Sequence, residues 1–182
     1  MLASCEYENI YIVETGSAAI ESGILVEVAL RLLDEGKSAE EIAQALEEEM
    51  KKIVIVALVD TLEYLKEGGR ISKTVAFAGG VLNIKPVISL VGGEINMFGK
   101  ARGSKMGNNL LVEEIDKACG VDFSKPVLLG YTGISDALLQ KYIRDSQHIW
   151  EGNLQEMRYT TIGSVIGAHV GPGAIAVAFF KK

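Results

Sequence analysis

The chain has 182 residues, 48% of them hydrophobic and 23% charged, the balance of an ordinary globular protein with room for one full domain, or one domain and a remnant of another. Its 24 acidic and 18 basic residues leave a net charge of −6, which argues against nonspecific nucleic-acid binding. No apolar run reaches bilayer length and no signal-peptide pattern opens the chain, so stable membrane insertion is not expected and a cytoplasmic location is.

In chain order, residues 10–13 read as a short buried strand. Ser17 is placed to cap a helix whose apolar positions Ile20, Ile24, Leu25, Val28, Leu32 and Leu33 follow a 3.6-residue period. Gly36 ends it. Ser38 with Glu41 is a capping-box spacing and opens a second helix, with the acidic run 47–49 on its solvated side. Residues 53–59 are a continuous, largely β-branched run, which predicts a strand covered on both faces. A domain boundary is placed just before it, dividing the chain into 1–50 and 51–182.

Asp60 and Glu63 repeat the capping-box spacing ahead of a short helix with Leu62 and Leu65 on one side. Gly68 and Gly69 end that helix and deliver Arg70 at a fixed corner. Ser72 is placed to cap a further helix, which Lys85-Pro86 stops. Residues 87–91 and 94–98 flank Gly92-Gly93, a hairpin signal. Residues 99–103, GKARG, read as a cationic loop leading into a helix through Ala118. A strand at 127–131, a helix capped by Ser135, a strand at 156–161, a glycine-rich helix at 163–168 and a strand at 174–180 complete the chain. A hairpin followed by strand–helix–strand units predicts a fold between α/β and α+β, with a mainly antiparallel or mixed sheet flanked by helices.

The two cysteines, Cys5 and Cys119, lie far apart with no metal spacing, and Cys119 is read as packing at a helix end. No metal cluster, catalytic triad or carboxylate pair is found, and the glycines at 163, 167, 171 and 173 lack the lysine and spacing of a phosphate loop. Catalytic residues, cofactor and metal are all expected to be absent. Arg70 and Arg102 each offer a planar fork suited to carboxylate or phosphate; the plainer reading is two unrelated surface arginines. His169 sits in GAHVGPG (167–173), where glycines and a proline restrict the backbone and aim the ring; the plainer reading is a satisfied polar side chain. His148 is read as surface.

Four motifs taken together, DTLEYLKEGGRIS (60–72), LNIKP (82–86), GKARG (99–103) and GAHVGPGAIAVAF (167–179), resemble the bacterial DegV family. Its members are two-domain proteins that bind a fatty acid and present its carboxylate to a separate kinase subunit. The resemblance implies the same fold class, with residues 1–50 as the remnant of an N-terminal α/β domain. It implies a long-chain fatty acid and a fatty-acid kinase as partners, and a chain that is not itself an enzyme. Arg70 and Arg102 then match positions of the kinase-docking or phosphate-contact surface, and His169 a position at the fatty-acid carboxylate end. Phe77, Val81, Leu82, Ile84, Val87 and Ile88 are expected to help line the acyl tunnel.

Three departures stand beside the match. The Asp-Ser, Thr/Ser-Pro-Ser and Ser-Gly-Thr-Tyr segments of the family's first part are absent, so the chain reads as its C-terminal two-thirds. Glu14-Thr15 stands where Asp then Ser or Thr is usual, and Val170 where many relatives have Thr. The alternatives are an interaction module that docks the kinase without lipid, and a phosphotransferase or hydrolase in its own right.

Overall fold

A computed structural model describes residues 7–71, 84–91 and 93–182. Its centre is one six-stranded sheet. The strands are β1 (Ile53–Leu58), β2 (Ile84–Val91), β3 (Glu94–Arg102), β4 (Leu128–Tyr131), β5 (Tyr159–Thr161) and β6 (Ile175–Phe180). They lie in the order β3-β2-β1-β6-β4-β5, and every pair is antiparallel except β4 with β5, so the sheet is mixed.

The central strands are apolar at every position because both faces are covered. In β6 the side chains alternate without a polar break: Ile175, Val177 and Phe179 enter one core, Ala176, Ala178 and Phe180 the other. The first core lies under α4 (Gly103–Lys117), through Leu111 and Ile115, and α5 (Ala137–Asp145), through Leu139 and Tyr142. Trp150, from the short α6 (Gln147–Trp150), closes it. The second core lies under α1 (Ile20–Asp34) and α2 (Ala39–Glu49). A third, smaller cluster gathers where α3 (Glu63–Glu67) packs Leu65 near Ile88 and Ala174. The last helix, α7 (Ser164–Val170), contacts α3.

The hairpin closes as its sequence requires. Val91 faces Glu94 across the turn, and Gly93 adopts φ +82°. Ile88 faces Met97 while Val87 faces Gly99, so Phe98 is the extra residue of a bulge. The Ser38–Glu41 capping box forms in both directions.

Several local expectations are corrected. Residues 10–13 form no strand; Ile10, Tyr11 and Ile12 are exposed, and no neighbouring strand among the described residues supplies a ladder. Pairing carries β3 through to Arg102 opposite Ile84, so 99–102 is strand and not loop. Asp60 does not cap α3, because Lys85 of β2 draws it into an ion pair; the Glu63 N–H donates to Thr61 Oγ1 instead. Ser17 stands two residues before the N-cap of α1, Ala19, and donates to Glu21. Leu33 is exposed. Glu49 is no free surface charge: it pairs with Lys52 and Lys125. Cys119 is exposed in a left-handed conformation, φ +73°. The helix expected from Ser72, and Phe77, Val81 and Leu82, lie outside the described residues, as does Cys5.

α1 and α2, on the N-terminal side of the boundary placed before Ile53, share the second core with Ile55, Ala176, Ala178 and Phe180.

Candidate functional site

α1 covers only part of its face of the sheet. Beyond its first turn the sheet is open, and a cavity of about 980 Å³ lies there. Ile55 and Ala57 of β1, Ile88 and Leu90 of β2, Ile95 of β3 and Ala176 of β6 contribute to its sheet side. Val165, Ile166, His169 and Val170 of α7 line it as well. Residues 16–19, before α1, and Gly69, Arg70 and Ile71, after α3, complete much of the wall. A volume of this size with mostly apolar walls and few polar groups is the usual form of a small-molecule site.

Ser17, Ser89 and Glu94 also line the cavity, and its basic groups, Arg70 and His169, come from the two motifs that the fold brings together. α3 ends in a Schellman arrangement: the Arg70 N–H donates to the Leu65 carbonyl at 2.8 Å, the Gly69 N–H to that of Lys66 at 3.0 Å, and Gly69 takes φ +68°. The Arg70 guanidinium folds back and donates from Nη1 to the Gly68 carbonyl at 2.7 Å. α7 ends at Gly171, φ +78°, and puts His169 in its last turn. The two helix ends interlock: the His169 ring lies on Gly68, and the Tyr64 ring lies on Gly171.

The loop after α7 is fixed by a residue that sequence reading missed. Thr132, 2% exposed, donates from its hydroxyl to the Gly171 carbonyl at 2.6 Å and accepts from the Ala174 N–H at 2.9 Å. Backbone bonds between Thr132 and both Gly173 and Ala174 close the same clasp. Thr132 sits just past β4, far from the glycine motif in sequence, and no local pattern marks it.

Of the three residues singled out beforehand, Arg70 and His169 line this cavity and Arg102 does not. Arg102 is exposed at the end of β3. His148 is exposed on α6. Of the residues expected in the tunnel, Ile88 lines the cavity, while Val87 points into the core under α4. Ile55, Ala57, Ala176, Val165 and Ile166 went unnoticed, although period-two alternation marks Ile55 and Ala57 as sharing a face of β1; Ala176 joins that face by pairing with Ala57.

A second cavity of about 940 Å³ lies beyond residues 18 and 19, against β5. Its arginine, Arg158, is already paired with Glu27, so it offers less to an anion. Among the described residues no cluster of His, Cys, Asp or Glu could hold a metal ion, and no helix is long and apolar enough to cross a membrane.

The family model described as "Uncharacterised protein, DegV family" matches residues 1–182. A DegV domain-containing protein of Clostridium perfringens is 34% identical over 174 residues, covering 94% of this chain and 58% of its own. A DegV family protein of Thermus thermophilus, described for its fatty-acid binding, superposes with a TM-score of 0.80 at 27% identity, over 99% of this chain and 64% of its own. A stearic-acid-binding protein of Eubacterium ventriosum gives a TM-score of 0.81 at 26% identity, over 100% of this chain and 62% of its own. The chain thus spans less than two-thirds of the length of these relatives. With the family model matched from end to end and the interlocked motifs in place, the chain belongs to the DegV family.

Proposed function

We propose that this chain binds a long-chain fatty acid in the cavity between the sheet and α7, with its carboxylate toward His169 and Arg70. The observation that carries the reading is the cavity itself: mostly apolar walls, with Arg70 and His169 on its lining and both in contact with Gly68. Each buried methylene of an acyl chain contributes about 0.8 kcal/mol in gross transfer energy. Most of the affinity then resides in the tail, and the cationic end fixes its direction. The Thermus and Eubacterium relatives are described as fatty-acid binders, which supports the same ligand class.

The protein acts as a carrier and not as the catalyst. It presents the carboxylate to a separate fatty-acid kinase in the cytoplasm, with Arg70 and exposed Arg102 on the docking or phosphate-contact surface. This part of the proposal rests on the motif resemblance. So does the division at residue 50 into a remnant and a C-terminal domain; the packing of α1 and α2 on the sheet means the two parts share one core.

Organic extraction of the purified chain followed by mass spectrometry tests the ligand. A fatty acid released in near-stoichiometric amount is expected. A chain that carries none, and takes none up when incubated with palmitate, contradicts the reading and favours a docking module without lipid.

A further inference from the structure

Two glycines end α3, and the backbone requires only one of them. Gly69 has φ +68°, a conformation that L side chains rarely adopt. Gly68 has φ −73° and ψ −3°, helical values open to any residue. Its missing side chain has a different cause. A Cβ on Gly68 would overlap His169 Nδ1 and stand only 3.1 Å from His169 Cε1. The carbonyl of the same residue receives the Arg70 guanidinium at 2.7 Å. Gly68 therefore touches both the imidazole and the guanidinium of the cavity lining, one through its α-carbon and one through its oxygen.

We infer that Gly68 is a positioning residue, a seat whose bare α-carbon lets the His169 imidazole reach its place on the cavity wall at the point where Arg70 is anchored. The ligand in this inference is the fatty acid proposed above; the seat rests on geometry alone. Alanine suits the dihedral angles at position 68, and its Cβ would stand 3.1 Å from the Tyr64 carbonyl oxygen, a contact that needs only a small adjustment, so the overlapping imidazole yields first, by rotation about its side-chain torsions. The ring then leaves the position from which it meets a carboxylate. A methyl group at position 69 does the reverse: it strains the helix end and leaves the ring alone.

The test uses the full chain with Gly68→Ala, Gly69→Ala, His169→Ala and the double variant Gly68→Ala/His169→Ala. Palmitate titration and the ring resonances of His169 without ligand are the readouts. Gly68→Ala is expected to shift the ring resonances and to weaken palmitate binding roughly tenfold, the worth of one hydrogen bond to a charged group. His169→Ala should lose the same amount, and the double variant no more than either. Gly69→Ala should lower the melting temperature and leave the His169 ring resonances where they are in the parent. If Gly68→Ala fails to fold, the double variant, which lacks the obstructing ring, should recover the parent's melting temperature. Unchanged ring resonances in Gly68→Ala, additive losses in the double variant, or a double variant as unstable as Gly68→Ala would each overturn the inference. A parent that binds no palmitate sinks the fatty-acid reading, and the ring resonances then decide the seat by themselves.

Discussion

Glu21 lies in the first turn of α1, 6% exposed, with Ser17 donating to Oε1 and no partner for Oε2 among the described residues. Burial pushes its carboxyl above the ordinary range, more than the Ser17 hydrogen bond pulls it back. The sign of the consequence follows. In acid, both folded and unfolded chains hold the proton and Glu21 costs nothing. As pH rises, the unfolded chain releases its proton first, so stability falls until the raised folded value is passed and is flat above it. Glu21→Gln keeps the shape and the acceptor for Ser17 without the charge. It should melt higher than the parent at pH 8, with the difference shrinking toward zero near about pH 4. Parallel melting curves at several pH values check this; a constant offset, or a loss at pH 8, contradicts it. Groups held below their ordinary range, such as Asp145 beside Lys141 and Asn108, are common to both proteins and cancel in the difference.

At the scale of elements, the ends of α7 and α4 are held by different means. α7 and its glycine loop depend on Thr132. Thr132→Val keeps the volume but leaves the Ala174 N–H and the Gly171 carbonyl without their side-chain partner in a buried place. A loss of about 1–3 kcal/mol in denaturant unfolding is expected, together with faster hydrogen exchange at Ala174. An unchanged midpoint would show that the clasp is redundant. The end of α4 tells the opposite story. The Gly120 N–H reaches the Ile115 carbonyl and the Cys119 N–H that of Asp116, a Schellman arrangement with cysteine where glycine suits best. Cys119→Gly should stabilise by about 1 kcal/mol, or raise the melting temperature by roughly 2–4 °C. A lower melting temperature would mean the cysteine side chain contributes more than its backbone strain removes.

Local signals explain what could be foreseen. The Gly92-Gly93 reversal, the Ser38–Glu41 box and the two-faced strands β1 and β6 follow from spacing alone, because their causes lie within a few residues. Residues 10–13 fail for the complementary reason: β-branched residues do not make a strand without a neighbour to pair with. Asp60 fails because Lys85, remote in sequence, competes for it. Arg70 and His169 were legible as separate motifs. Their meeting at Gly68 was not, since it depends on α3 and α7 packing across the end of β1.

For the whole molecule, the proposed ligand end and the proposed docking surface meet at Arg70. Arg70 and Arg102 are both exposed, and neither belongs to a core cluster. Replacing Arg102 with alanine should leave melting temperature and lipid retention nearly unchanged, while kinase-dependent acyl-phosphate formation falls by about tenfold, as expected when a charge-assisted contact is lost; Arg70→Ala, at the carboxylate end, should lower acyl-phosphate formation together with palmitate affinity at an unchanged melting temperature. Equal turnover with parent and variants would defeat the docking role. The central claim, a fatty acid whose carboxylate meets His169, is tested most directly with palmitate labelled with ¹³C at its carboxyl carbon. Bound to the parent chain, that carbon should give one resonance distinct from free palmitate. The resonance should shift in His169→Ala, with affinity down roughly tenfold, and stay in place in His148→Ala. A bound carboxyl resonance indifferent to His169, or equally sensitive to both histidines, would contradict the account.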